Sequence, residues 1–96
     1  MKWSKNLAWK IEFEAEAKKE FAHLDRQVQE RIRRFLRERI AISENPRVFG
    51  EPLRRNLSGL WKYRVGDYRI IVEIAEEKVL VVVLRIGHRR KVYGGH

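Results

Sequence analysis

Six cations in the closing forty-odd residues have the types and spacing to hold a phosphodiester: Lys62, Arg64, Arg69, Arg89, Arg90 and Lys91. No Asp or Glu interrupts residues 53–66 (LRRNLSGLWKYRVG) or 78–96 (KVLVVVLRIGHRRKVYGGH). A surface built only for solubility intersperses both signs. A cluster of one sign attracts the other, and the commonest strongly anionic partner is a nucleic-acid backbone. Positioned cations can stabilise negative charge on a phosphoryl group.

Composition supports such a partner and excludes several others. The 96 residues carry 22 Lys+Arg against 13 Asp+Glu, a formal net charge of +9. That balance favours nucleic acid, an acidic protein or an anionic surface. With 44% hydrophobic and 36% charged residues, the chain reads as one folded domain over 1–96, with Met1–Lys5 and Gly94–His96 as loose tails. No apolar run approaches the roughly 18 residues of a membrane span. The opening MKWSKNLAWK lacks the apolar stretch of a secretion signal, and cysteine is absent, so a cytoplasmic protein is expected. His23, His88 and His96 are too scattered for a metal site. No metal or cofactor is expected.

The elements that must position the cations can be read from periodicity. Leu7 to Phe13 alternates apolar and polar residues, a first strand with one buried face. Ala17, Phe21 and Leu24 recur at helical spacing, and Asp25 is placed to cap a longer helix striped by Val28, Ile32, Phe35, Leu36 and Ile40. Asn45-Pro46 ends that run, and Gly50 and Pro52 mark a loop. Leu60–Val65 and Tyr68–Ile74 flank Gly66-Asp67, a two-residue hairpin signal, and Glu76-Glu77 turns the chain into Val79–Ile86. The expected fold is α+β: two N-terminal helices packed on one face of a mostly antiparallel four-stranded sheet, in the order β-α-α-β-β-β.

A tight hairpin fixes register, and register decides which side chains meet. Val65 then faces Tyr68, Tyr63 faces Ile70 and Trp61 faces Val72, an apolar set for the helices. On the other face Arg64 lies across from Arg69, and Lys62 across from Ile71. Opposed like charges destabilise a sheet by up to about 1 kcal/mol, which an anion between them would offset. If Glu76-Glu77 is a two-residue turn, Arg69 faces Leu84, Ile71 faces Val82 and Glu73 faces Leu80. An apolar strip of Ile71, Leu80, Val82, Leu84 and Ile86 would then lie open beside the cations, as an interaction surface. The arginines of the long helix read as a solvated face with i,i+4 pairing.

From about Leu7 to Tyr93 the sequence resembles the RelE family of toxins from toxin–antitoxin pairs. The resemblance rests on Leu57-Ser58-Gly59 leading to Trp61-Lys62-Tyr63-Arg64, on Gly66-Asp67-Tyr68-Arg69, and on Ile86-Gly87-His88-Arg89-Arg90-Lys91-Val92-Tyr93. It implies ribosome-dependent cleavage of messenger RNA and neutralisation by a wrapping antitoxin, with operator DNA reached only through that antitoxin. By position, Lys62 and Arg64 match the family's two basic residues on the first meander strand. Arg69 matches its phosphate-clamping arginine, Arg89 the arginine after the last long strand, and Tyr93 the C-terminal tyrosine. Two departures are visible. Family members often carry lysine at the place of Arg64, and a guanidinium is a poor general base. The chain also stops three residues after Tyr93, without the C-terminal helix of some members.

On this reading Arg69 and Arg64 clamp the scissile phosphate, Lys62 sits beside the 2′-hydroxyl and Arg89 takes the leaving side. Tyr93 stacks on a base or donates a proton, and His88, Arg90 and Lys91 add RNA contacts. His88 is of the one nearby residue type that exchanges protons near neutral pH, and it reads equally as an exposed strand end. Two alternatives stand beside this one: a gyrase-inhibiting toxin of the related branch, and a non-catalytic module that binds nucleic acid or an antitoxin.

Overall fold

In the computed structural model, residues 8–53 and 59–88 are described. The strand expected from Leu7 forms over Lys10–Phe13 (β1), and Leu7 itself lies outside the described residues. Helix α1 spans Ala15–Ala22 and α2 spans Arg26–Phe35. Asp25 stands at the N-cap of α2, although its side chain makes no capping hydrogen bond. The stripe continues past Phe35 through a π-helical turn, Leu36–Ile40, closed by the Ala41 amide donating to the Leu36 carbonyl at 2.8 Å. That wider turn keeps both Leu36 and Ile40 buried.

Among the described residues five strands form the sheet, running from β1 through β5 (Leu80–His88), β4 (Tyr68–Ala75) and β3 (Leu60–Val65) to β2 (Glu51–Pro52). The additional strand is the short β2, paired antiparallel to β3 at the sheet edge. Strands β3, β4 and β5 make the expected meander, and β1 runs parallel to β5. Helix residues Ala17, Ile32, Leu36 and Ile40 close the core over Tyr63, Ile70, Val72, Val81, Val83 and Ile86. Burying side chains of this size contributes about 1.5–3 kcal/mol each.

The first hairpin has the expected register: Trp61 pairs with Val72, Lys62 with Ile71, Tyr63 with Ile70 and Arg64 with Arg69. Gly66 carries φ 61° while Asp67 does not share the positive sign, the pattern of a type II′ turn that accepts glycine first. The second hairpin departs from expectation. Its connection is a 3-10 turn over Glu76–Lys78, ending at Val79 in the left-handed region (φ 50°, ψ 50°). Arg69 therefore faces Gly87 instead of Leu84, Ile71 faces Arg85 instead of Val82, and Glu73 faces Val82 instead of Leu80. A bulge between Ile71 and Val72 shifts the pairing once more, because Val72 faces Val83.

These shifts take Ile86 out of the expected apolar strip, while Ile71, Leu80 and Val82 keep the parity of the open face. Ile86 joins the core beneath the helices, Leu84 falls at the bulge, and Ile71 is only 7% exposed. Leu80 and Val82 are half-buried. The longer turn shifts the pairing by two residues and keeps each side chain on its face, whereas the single extra residue at the bulge turns Ile86 into the core.

Candidate functional site

The alternation of β3 puts Tyr63 and Val65 into the core and turns Lys62 and Arg64 the other way. The hairpin sets Arg69 directly opposite Arg64. All three cations line one polar cleft of about 180 Å³, shared with Val48, Phe49, Gly50 and Glu51. Sequence reasoning brought the cations together and missed the opposite wall.

That wall is built by the chain after α2. Asn45 accepts a hydrogen bond from the Arg47 amide at 3.1 Å and starts a 3-10 turn over Pro46–Phe49. The fully buried Tyr63 donates its hydroxyl to the Pro46 carbonyl at 2.9 Å, which fastens the turn to β3. Burial pushes the Tyr63 phenol up, with Arg47 opposing, so it stays a donor. Gly50 then passes so close to β3 that a Cβ would meet the Lys62 carbonyl at 2.6 Å and the Tyr63 ring at 2.8 Å. Only glycine fits there. The Arg47 guanidinium lies 5.9 Å from the Trp61 ring centre and 3.0 Å from the Glu76 carboxylate.

Strand β2 also corrects the impression that the cluster lacks acids. Glu51 pairs across to Lys62, with Lys62 Nζ 3.6 Å from its carboxylate, and the lysine side chain is 28% exposed. The acid sits two residues before the acid-free stretch begins, so counting along the chain did not see it. An exposed pair of this kind is worth at most about 1 kcal/mol. It keeps Lys62 aimed along the cleft and leaves the balance of charge positive.

Two other expected members stand elsewhere. His88 pairs with Tyr68 on the helix side of the sheet, its ring edge-on to the Tyr68 ring at 5.5 Å. It is thus on the opposite face from Lys62, Arg64 and Arg69, and Gly87 is the residue beside Arg69. Arg89, Arg90, Lys91 and Tyr93 lie outside the described residues. Among the described residues, no group of three His, Cys, Asp or Glu side chains is arranged to hold a metal, and no helix is long and apolar enough to cross a membrane.

A second cleft, about 460 Å³, opens at the β1 edge of the sheet. Ile11, Phe13, Phe21 and Leu36 make it apolar, and Lys18, Arg33 and Arg37 stand at its margin. Phe13 and Phe21 meet edge-to-face at 5.5 Å, and the Arg33 guanidinium lies 5.3 Å from the Phe21 ring centre.

Residues 11–93 match the family model described as ParE toxin of type II toxin-antitoxin system, parDE. Toxin RelG of Mycobacterium tuberculosis is 42% identical over 52 residues, which cover 54% of this chain and 60% of RelG. The mRNA interferase toxin RelE of Escherichia coli is 29% identical over 87 residues, 88% of this chain and 87% of that protein. The toxin–antitoxin complex RelBE2 of M. tuberculosis superposes with a TM-score of 0.76 at 29% identity, covering 85% of this chain and 92% of that one. The isolated E. coli RelE toxin gives 0.70 at 28% identity, over 92% and 94%. The chain belongs to the ParE toxin family and is a RelE-like toxin of a toxin–antitoxin system.

Proposed function

From that family membership and the cationic cleft, we propose that the protein is a ribosome-dependent messenger-RNA endonuclease held inactive by a cognate antitoxin. The observation that carries this reading is the convergence of Lys62, Arg64 and Arg69 on one polar cleft. Arg64 and Arg69 oppose each other across the ladder, so one phosphoryl group held between them would meet both charges. Lys62, two residues along the same face, stands where it can polarise the attacking 2′-hydroxyl. Arg89 and Tyr93 complete the set on the leaving side, as the resemblance implies, with Arg90 and Lys91 contacting the backbone. His88, turned toward Tyr68, is given no catalytic role. With arginine at position 64 the site relies on charge and orientation more than on a strong base, and the ribosome supplies the orientation. The experiment is primer extension on a translated message with purified protein, with and without ribosomes. Cuts within codons that require ribosomes support the reading; an untouched message ends it.

The antitoxin is assigned to the apolar cleft at the β1 edge. Its apolar floor and its margin of Lys18, Arg33 and Arg37 suit an amphipathic segment with flanking carboxylates. A second reading is the related branch named with the resemblance, gyrase inhibition: there the message stays intact while chromosomes break. A non-catalytic binder would retain RNA in a strongly salt-dependent manner and release no cut product.

A further inference from the structure

Among the described residues, the half of β5 that runs beside Arg69 has no strand on its outer side. Strand β1 pairs only as far as Phe13 with Val83, and the chain then leaves the sheet, with the Glu14 amide donating to the Val83 carbonyl at 2.9 Å. Helix α1 follows, and its Glu20 reaches back to this edge. One carboxylate oxygen accepts from the Ile86 amide at 2.7 Å. The other accepts from Arg85 Nε at 3.0 Å, with a second guanidinium nitrogen at 2.8 Å. Glu20 is 24% exposed and Arg85 51%, so the carboxylate is the more sheltered partner. Its hydrogen bond and charge raise the Arg85 pKa. The carboxylate thus does for the Ile86 amide what a neighbouring strand would do.

The contact falls at the bulge. Val83 and Ile86 both belong to the core, which requires one extra residue between them. Either Leu84 or Arg85 could be that residue on hydrophobic pattern alone. In the structure Leu84 is the extra one and Arg85 faces Ile71. A carboxylate tied to the Ile86 backbone amide discriminates between the two arrangements. Bulges re-aim strands beside working sites, and here the re-aimed stretch puts Gly87, which has no side chain, across from Arg69.

We propose that Glu20 is a positioning residue for the cationic cleft: by accepting from the Ile86 amide it fixes the β5 bulge at Leu84 and holds Gly87 in place beside Arg69. The inference rests on the nuclease reading for its effect on rate, and on hydrogen exchange for its structural content. In Glu20→Ala, exchange of the Ile86 amide should accelerate and kcat should fall about tenfold or more, with KM unchanged to within about twofold. Glu20→Gln keeps an oxygen that can accept from Ile86, and Arg85→Ala keeps the whole carboxylate. Both should retain Ile86 protection and kcat. A folded Glu20→Ala protein with wild-type exchange or wild-type kcat overturns the proposal, as does Arg85→Ala losing as much as Glu20→Ala. If Glu20→Ala does not fold, the other two variants decide: retention in both supports the clamp and a tenfold loss in either overturns it. A wild-type protein that cuts no message defeats the nuclease reading, and Ile86 exchange still decides the clamp.

Discussion

The two clefts at opposite edges of the sheet solve different problems with the same backbone. At the β2 edge the cleft holds about 180 Å³ and is lined by Lys62, Arg64, Arg69 and Glu51. At the β1 edge it holds about 460 Å³, with Ile11, Phe13, Phe21 and Leu36 inside and cations only at the margin. The small one places charge close to charge, which suits an anion that must be gripped and released. The large one offers apolar area, which suits a partner that must stay bound, since affinity of long residence comes mainly from burial. On the proposed function, cutting and antitoxin binding fall to different clefts and can be altered separately.

The sharpest way to break this contrast is Arg69→Ala. Loss of one positioned donor for the phosphoryl charge should lower message cutting by about 10²- to 10³-fold while antitoxin affinity is unchanged. Cutting is read by primer extension and affinity by titration calorimetry. Next comes Tyr63→Phe, which leaves the buried Pro46 carbonyl without its donor and should cost about 1–3 kcal/mol in a denaturant titration. Because Tyr63 fastens the wall of the small cleft, cutting should fall with it. The double variant Lys18→Glu, Arg37→Glu addresses the large cleft. Antitoxin association should slow about tenfold at low salt in stopped flow, with cutting by free toxin retained. Smallest of all, Glu51→Gln removes the acid beside Lys62 and should tighten RNA binding by up to about fivefold, the equivalent of about 1 kcal/mol. If Arg69→Ala weakened antitoxin binding as much as cutting, the two clefts would not be separate devices.

Legibility from sequence followed the locality of the signal. The β3–β4 register was readable because Gly66-Asp67 leaves a single way to pair the flanking strands, and it delivered Arg64 against Arg69. The helices were readable from Ala17, Ile32, Leu36 and Ile40. The β4–β5 register was not, because Val79 takes a left-handed conformation that a β-branched residue rarely adopts, and nothing local announces it. The bulge at Leu84 depends on Glu20, far away in sequence. Likewise the second wall of the polar cleft depends on Tyr63 reaching Pro46, and the pairing of Glu51 with Lys62 on a strand two residues long. His88 was placed by its neighbours in sequence, whereas strand parity sends it to Tyr68.

Pairing between residues 10–13 and 80–83 has a consequence for how the molecule comes into being. During synthesis the earliest strand emerges long before its partner, so its apolar side waits uncovered while α1, α2 and the β3–β4 hairpin take shape. Such distant closure slows folding and lengthens exposure of sticky surface. A newborn chain would thus pass through an interval in which the β1-edge groove is incomplete and the helices lack β5 beneath them, which is when a chaperone would find most to hold.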